Sequence, residues 1–492
     1  MAEAGAQKKT ELEIKSGSLL DEVLKKGFRA KTKLQKTEAA KDIEALVSEV
    51  LAGVQFGSKK VDKSIQDRID AIDQVLSSQL AAIMHHEDFQ KLEGSWRGLH
   101  YLVHNSNTST SMKIRVLNAS KDELMQDQED ATEFDQTALF KNIYENEYGT
   151  FGGAPYGALI GDYAWGVHPE EVELLSRISN VAAAAHAPFV TGADPEMFGL
   201  ESYTELGKPR DLAKIFDRKE YTAWNSFRDS EDSRYVGMCM PRYLARLPYG
   251  EKTKKVKAFN FEEGVDGTNH KEYCWSNAAY AMGVRMTDAF DKYGWTVAIR
   301  GVQGGGLVEG LPAHNFKTDE GDVATKCPTE IAITDRREAE LYKLGFMPLL
   351  HCKGKDYAAF FGAQSAHRAK KWDSDAANAN EQLSSQIQYL MATSRFAHYL
   401  KAMCRDWVGG FAERSDVETR LNRWIANYVL LNDDAGQETK AKYPLREARI
   451  EVKDVPGKPG HYQAVAYLRP HFQLEEIGVS LRLVADLPEP AK

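Results

Sequence analysis

The first strong pattern in the chain is an apolar residue at every third or fourth position after residue 60. This spacing places the apolar side chains on one face of a helix. Two interpretations are open, because the face could pack on the chain's own core or pair with a helix of another chain. Since the helix follows a polar arm, we favour a partner chain. The stripe residues are Val61, Ile65, Ile69, Ile72, Leu76, Leu80 and Ile83.

Strand and helix patterns alternate in the middle of the chain. A helix over residues 89–106, rich in large apolar side chains, precedes a predicted strand over 111–120. A second set comprises a strand at 158–165, a helix at 169–187 and a strand at 187–193. This alternation predicts a mixed α/β, or α+β, middle domain. The residues that share a face of the 111–120 strand are Met112, Ile114, Val116 and Asn118.

The region from residue 326 is predicted to form a further unit. It begins with a strand-like segment at 331–334 and a helix that starts at Thr334 or Asp335 and is stopped by Gly345. A long helix follows, with Leu383 and Leu400 on its apolar face. Its polar side chains form either an ordinary solvated face or a surface for an inner partner. These polar residues are Gln382, Gln386, Arg395, His398 and Lys401.

The C-terminal residues predict a three-stranded meander. Apolar and polar residues alternate over 447–454, a turn-forming segment follows at 455–460, and further strands are predicted at 461–468 and 479–487. The edge of such a sheet needs a partner or protection, and an extended segment of another subunit would provide it. We therefore place an inter-subunit sheet here. Its predicted residues are Ile450, Val452, Val465, Tyr467, Val479, Leu481 and Leu483.

Composition narrows the class of protein. The 492 residues suggest two or three structural units, and 63 basic against 72 acidic residues give a formal charge of −9. This acidic balance disfavours nucleic-acid binding. The absence of a secretory h-region or a long apolar run predicts a cytoplasmic protein without membrane insertion. The five scattered cysteines predict neither disulfides nor a zinc site. Residues 1–60 form a polar arm that is either ordered by a partner or simply solvated.

No local motif predicts catalysis. The glycine-rich residues 301–312 have no following helix to continue a phosphate cradle, and no P-loop sequence occurs. His85 and His86 point to different faces of a helix and do not form a metal-binding pair. Asp229, Glu231 and Asp232 could suggest paired carboxylates for acid–base chemistry or a divalent-ion loop, but the nearby Arg228 and Arg234 favour a salt-bridged loop. We therefore predict no enzymatic activity, no cofactor and no metal.

Three segments carry a resemblance to a known family. They are LEGSWRGLHYLV at 92–103, FDQTALFKNIYENEYGTFGGAPYGALIGDYAWG at 134–166, and FRDSEDSRYVGMCMPRYLARLPYG at 227–250. Through these phrases, their order and the total length, the chain resembles the large sheath subunit of type VI secretion systems, the TssC/VipB family. The resemblance covers nearly the whole chain.

The resemblance implies a set of partners. Members of this family look like the larger half of a heterodimer with a small sheath subunit of the TssB/VipA type. Copies of the pair polymerise into a contractile helix around an inner Hcp-like tube, above a baseplate. A ClpV-type AAA+ ATPase, which recycles the contracted sheath, is expected to act mainly through the small subunit.

The resemblance also implies a phage tail-sheath-like C-terminal domain. We expect a flexible arm at 1–60, a partner-pairing helix at 61–88, a middle α/β domain at 89–325 and a C-terminal sheath domain at 326–492. Two other classes stay open. They are a cytosolic enzyme of unknown activity and a self-assembling tail-tube or capsid-like protein, which would need no second gene product.

Overall fold

The structure is a computed structural model that describes residue 41 and residues 58–318, 320–410, 413–458 and 460–473. Most of the predicted arm and the predicted strand at 479–487, with Val479, Leu481 and Leu483, lie outside the described residues. The chain divides into two compact units, residues Met1–Met84 with Pro248–Gly264 and residues His85–Leu247 with Val265–Lys492.

The smaller unit contains the predicted stripe helix, α1, at Ser58–Met84. One face of α1 contacts the segment 248–264 through polar groups. The backbone N–H of Asn260 donates to Asp73 Oδ2 at 3.3 Å, and the N–H of Glu262 donates to Ser77 Oγ at 3.4 Å. At 100° per residue, this face lies about a quarter of a turn away from the apolar stripe.

The helices of the larger unit follow in chain order. They are α2 (Glu87–His104), α3 (Lys121–Asp130), α4 (Ala138–Phe140, continuing as a π-helix over Lys141–Gly149), α5 (Pro169–Ala185), α6 (Ala213–Phe216), α7 (Thr222–Asp229), α8 (Ala278–Tyr293), α9 (Asp335–Lys343), α10 (Asp375–Ser384), α11 (Ile387–Asp406), α12 (Arg414–Ala426) and α13 (Gln437–Lys442). Within the described residues, none of these helices, nor α1, is both long and apolar enough to cross a bilayer.

Within the described residues, the strands of the larger unit form one main sheet and three small ones. They are β1 (Leu159–Trp165), β2 (Phe189–Ala193), β3 (Val236–Met240), β4 (Tyr243–Leu244), β5 (Trp275–Ser276), β6 (Leu307–Val308), β7 (Asn315–Lys317), β8 (Val323–Thr325), β9 (Phe346–His351), β10 (Ala358–Phe360), β11 (Leu445–Asp454) and β12 (Tyr462–Pro470). The main sheet has the order β1-β2-β3-β9-β10-β6. Its first four strands are parallel, whereas β10 pairs antiparallel with both β9 and β6.

Both faces of the main sheet are covered by helices. In β2, Phe189 points into a cluster that contains residues of α5 and α7, and its neighbour Val190 points into a second cluster with α8. In β9, Phe346 and Met347 alternate in the same way. Alternation with burial on both sides explains why β2 and β9 consist mostly of apolar residues.

The local signals for the confirmed elements are physical ones. Pro169 opens α5, with Glu170 and Glu171 in the first turn, where the helix dipole favours acids. Thr334 precedes α9, and Gly345 ends it with a φ of +89°, which favours glycine. The predicted strands at 158–165 and 187–193 are confirmed as β1 and β2.

Three predictions need correction. Residues 111–120 form no strand, and no described segment pairs with them; Arg115 instead donates to the Glu147 carboxylate. Residues 331–334 are not a strand either. The strand of this region that pairs with β3 is β9, which follows α9. The predicted long helix is broken at Ser385 and Gln386 into α10 and α11.

The predicted domain boundary at 325/326 falls inside the main sheet. Strands β9 and β10 follow that boundary in sequence but pair with β3 and β6, which precede it. The middle region and the start of the C-terminal region therefore share one core.

Candidate interaction surfaces

The predicted stripe of α1 is exposed in this chain. Ile65, Ile69, Ile72, Leu76 and Ile83 are each between 44% and 58% exposed, and Leu80 is half-buried. The side chain of Val61 lies outside the described part of the structure. Branched apolar residues aligned in this way along a helix are typical of a surface that another molecule covers.

A second exposed stripe, on α2, was missed in the sequence. Phe89, Leu92, Trp96 and Val103 lie on one side of this helix and are between 39% and 65% exposed. The opposite side carries Gly94 and Gly98. The spacing rule that identifies the stripe of α1 applies to α2 as well. In α2, however, apolar residues lie both on the exposed side and on the buried side, so the sequence does not distinguish the two.

The two glycines of α2 explain how closely this helix packs. A Cβ on Gly94 would lie 2.3 Å from the Trp275 carbonyl oxygen, and one on Gly98 would lie 2.2 Å from the Tyr280 ring. An ion pair fixes the same helix, because Arg246 Nε lies 2.7 Å from Glu93 Oε1. Burial opposes the ionisation of Glu93, but Arg246 and Arg97 outweigh it and hold the Glu93 pKa below its usual value.

The first two strands of the predicted C-terminal meander are present as the β11–β12 hairpin, with Ile450 opposite Ala466 and Val452 opposite Ala464. However, Ile450 and Val452 are only 1% exposed and pack with Trp295, Phe396 and residues of α12. Their side chains therefore belong to this chain's own core, which corrects their assignment to an inter-subunit contact. Val465 is half-buried and Tyr467 is exposed.

The free side of β11 is capped by helix α12. Asn422 accepts from the Ile450 N–H at 3.0 Å and donates to the Ile450 carbonyl at 2.7 Å. Glu418 accepts from the Val452 N–H at 3.0 Å, and Arg414 donates to the Val452 carbonyl at 3.1 Å. Side chains thus replace a neighbouring strand on this side, so β11 is closed to strand addition.

The outer side of β12 has a different character. Because Ile450 and Val452 direct both backbone groups towards α12, their partners Ala466 and Ala464 form non-hydrogen-bonded pairs with them and direct their backbone groups away from β11. Within the described residues, no group bonds to these outward N–H and C=O groups. The outer edge of β12 can therefore accept another strand.

The predicted polar face at 382–401 needs a further correction. Gln386 and His398 are buried, at 1% and 3% exposure, so neither can present a surface. Gln386 donates to the Tyr342 hydroxyl at 2.9 Å, and His398 Nε2 donates to the Ala185 carbonyl at 2.8 Å. His398 lies on the same face of α11 as the buried Ile387 and Met391, and Gln386 lies at the break that precedes this helix.

The other three polar residues differ among themselves. Gln382 is exposed. Arg395 lies 4.8 Å from the Tyr399 ring centre, and Lys401 lies 3.5 Å from that of Tyr148, so both cations stack on aromatic rings of their own chain. A contact of these three residues with an inner tube stays a prediction.

The segment 228–234 contributes Arg234 to a buried polar junction. Arg234 lies 2.9 Å from Glu231 and 2.6 Å from Glu381, and His367 Nε2 lies 3.1 Å from the same Glu381 oxygen. Burial opposes the ionisation of Glu381, but His367 and Arg234 lower its pKa overall. The predicted salt-bridged loop is therefore confirmed for Arg234, whereas Arg228 is buried and donates to the Ala366 and Lys343 carbonyls.

Comparison with known proteins places these surfaces in a family. Residues 66–367 match the VipB/EvpB tail sheath N-terminal domain, and residues 376–487 match the tail sheath gpW/gp25-like domain of the same family. The chain belongs to the VipB/EvpB tail sheath family. A relative from Pseudomonas aeruginosa, named type VI secretion system sheath protein TssC1, is 50% identical over 464 residues, which cover 94% of this chain and 93% of the relative. The predicted family is thereby confirmed, and the chain is a tail sheath protein.

Two solved structures of the anti-feeding prophage also align with the chain at 10% identity. A baseplate chain aligns over 64% of this sheath protein and 66% of its own length with a TM-score of 0.35. A chain of the contracted helical sheath aligns over 79% of this protein and 86% of its own length, with a TM-score of 0.28.

The polar junction bridges the two matched regions of the sheath protein. Arg234 and His367 lie in the first region and Glu381 in the second. Gln386 and His398 make the same kind of link to Tyr342 and Ala185. Within the described residues, no group of three or more His, Cys, Asp or Glu residues is arranged to hold a metal ion.

The link made by His398 predicts a pH dependence. Burial lowers the His398 pKa to about 4. The charges of Arg395, His186 and Lys401 act in the same direction, whereas the hydrogen bond to the Ala185 carbonyl acts against it. The unfolded chain, with a His pKa of about 6.5, binds the proton first as the pH falls, so the stabilisation is complete above that pKa and is lost towards pH 4. The His398→Gln variant should therefore lose about 2 kcal/mol less stability between pH 7 and pH 5 than the unchanged chain.

Chemical denaturation at the two pH values measures this difference. The exposed His461, changed to Gln, is the matched control and should keep the pH dependence of the unchanged chain. Equal pH dependence of all three proteins would contradict the role given to His398.

Proposed function

We propose that this chain is the large subunit of a type VI secretion sheath, that it pairs with a small sheath subunit, and that the pairs polymerise in the bacterial cytoplasm around an inner tube that the contracting sheath propels. In this proposal the chain acts as a structural component and not as a catalyst. The observation that carries it is the match to both tail sheath domains together with the 50% identical sheath relative.

The outer edge of β12 supports polymerisation. An extended strand of a neighbouring subunit would satisfy the outward backbone groups of Ala464 and Ala466 by strand addition. Such a joint relies on backbone hydrogen bonds and a narrow contact, so subunits can change their relative orientation while they stay connected. The described hairpin thus fits the inter-subunit sheet predicted from the sequence, although through β12 rather than through Ile450 and Val452.

The exposed stripe of α1 supports pairing with the small subunit. Apolar residues at this spacing fit a helix or groove of a partner, which would remove them from water. We assign the partner-pairing role to this stripe. The Hcp-like tube, the baseplate and a ClpV-type ATPase, which would act mainly through the small subunit, complete the proposed set of partners.

Electron microscopy after co-expression tests the function. The chain purified alone should give no long tubes, whereas the chain co-expressed with its proposed small sheath subunit should give long hollow tubes. Tubes formed by the chain alone would favour a one-component tail-tube or capsid-like protein. Discrete particles under both conditions, with saturable binding of a small molecule, would favour an enzyme instead.

The stripe of α1 gives a second prediction. The variant Ile69→Glu with Leu76→Glu places two charges in the proposed helix contact and should weaken co-purification of the small subunit by at least about 100-fold in affinity. The matched control, Gln74→Glu with Ser78→Glu, adds the same charge to another face of α1. Undiminished co-purification of the stripe variant would reject this assignment.

The edge of β12 gives a third prediction. In Ala466→Pro, proline removes an N–H that the hairpin does not use, so the chain should stay folded and bind the small subunit but form no tubes. Ala466→Val keeps the N–H and should assemble. Val465→Pro removes an N–H directed at β11 and should disrupt the hairpin itself, as measured by limited proteolysis. Normal tubes from Ala466→Pro would exclude strand addition at this edge.

A further inference from the structure

A basic pocket opens beside the start of α9. It has a volume of about 340 Å³ and is lined by Gly207, Lys208, Pro209, Arg210, Thr334, Arg336 and Arg337. The lining contains four cations and no acidic side chain. Lys208 and Arg210 come from the loop after β2, and the other two cations come from the first turn of α9, so the fold brings together residues more than a hundred positions apart in sequence.

Arg336 and Arg337, two of the four cations of the basic pocket, are held in place by their own chain. Arg336 Nη2 donates to the Arg210 carbonyl at 2.8 Å, and Arg337 Nη2 donates to the Pro209 carbonyl at 2.5 Å. Both arginines share a single carboxylate, that of Glu340. Arginines fixed by bonds to carbonyls keep further N–H groups available for a carboxylate ligand.

Arg210 is the least satisfied member of the pocket. Its side chain is exposed, and within the described residues its guanidinium has no ion pair and no hydrogen bond, whereas Lys208 pairs with Glu205 at 2.5 Å. Asp211 and Asp335 follow the lining residues in sequence but do not line the pocket. The pocket therefore offers a fixed positive surface to an acidic partner.

The same chain carries an acidic segment of complementary charge, residues 122–135. It contains no Lys or Arg. Glu123 is used in the capping box of α3, and Asp127 accepts from the N–H groups of Ala138 and Leu139. The remaining acids are exposed and have no ion pair among the described residues. They are Asp122, Glu129, Asp130, Glu133 and Asp135.

The acidic segment is placed where the fold itself gains little from it. Glu129 and Asp130 stand in the last turn of α3, which contains no basic residue, and negative charge is unfavourable at this end of a helix. Clustered like charges also repel one another. A cationic partner outside this copy would relieve both effects.

The two patches lie on different parts of the main sheet. The acidic segment is fastened to α5, because Arg177 donates to the Gln128 carbonyl at 2.9 Å, whereas α9 packs on β9. Strand β3 separates β2 from β9 in the sheet order. Within the described residues no ion pair joins the two patches. Each patch is thus available to another molecule.

We infer that the acidic segment 122–135 of one copy binds the basic pocket of a neighbouring copy. A contact between two different patches of identical chains is head-to-tail, which is the type that builds open helical polymers rather than closed dimers. Charge complementarity would set the register between neighbours, and exposed ion pairs make such a contact weak, reversible and sensitive to salt. The inference rests on the proposed sheath function and names one contact within it.

A charge-swap experiment tests this contact in the co-expressed pair. Arg210→Glu with Arg336→Glu should abolish tubes in electron micrographs at physiological salt, while co-purification of the small subunit and the circular dichroism spectrum stay unchanged. Adding Glu129→Arg and Glu133→Arg to the same chain should restore tubes. The matched control, Lys353→Glu with Lys355→Glu, changes the charge equally in an exposed turn and should assemble normally.

The outcomes separate this inference from the proposed function. If the unchanged pair forms no tubes, the proposed function is wrong. Sedimentation velocity of the chain alone at low salt then tests the contact between the acidic segment and the basic pocket. Self-association should be lost in the variant with Arg210→Glu and Arg336→Glu and regained when Glu129→Arg and Glu133→Arg are added. Tubes from the pocket variant, or a folded swapped variant that does not recover, would overturn the pairing of these two patches.

Discussion

The ion pair between Arg234 and Glu381, with His367 beside it, is the contact on which the arrangement of this chain depends. Glu381 is only 8% exposed, and Arg234 and His367 approach one of its oxygens at 2.6 and 3.1 Å. The arginine and the histidine belong to the first sheath region, and the glutamate belongs to the second. A buried charge that loses its partner is strongly destabilising, so this junction tolerates few alternative positions of the two regions.

Two further hydrogen bonds also connect the first sheath region to the second. The buried Gln386 and His398 reach Tyr342 and Ala185 in the first region. Polar contacts with defined directions fix orientation more strictly than apolar packing does, because each hydrogen bond is lost when its geometry changes. These contacts therefore fix the C-terminal region of the larger unit relative to the main sheet.

The sequence predicted the elements whose signals are local. Strands β1 and β2, helix α5 between them, and the β11–β12 hairpin all follow from alternation, capping and turn residues that stand within a few positions of one another. The stripe of α1 was found for the same reason. The failures share another cause. Residues 111–120 alternate like a strand but have no strand beside them. Ile450 and Val452 lie on the apolar face of a half-buried hairpin, as their alternation predicts, but the residues that cover this face belong to the same chain and not to a neighbouring subunit. Spacing shows which residues share a face, but only packing decides what that face meets. The basic pocket could not be predicted, since its cations come from the loop at 207–210 and from the first turn of α9, which only the folded chain brings together.

The three surfaces proposed for contacts differ in chemistry, and the difference matters for a polymer that contracts. The apolar stripe of α1 gives a contact that is costly to separate, because separation would expose several isoleucines to water. The outer edge of β12 gives directional backbone bonds that hold two subunits together at one narrow line. A contact between charged patches is weaker and retains partial solvation, so it can break and form again with another neighbour at little cost. Contraction requires that some contacts persist while others change. The first two surfaces are suited to persist, and the charged patches are suited to change partners.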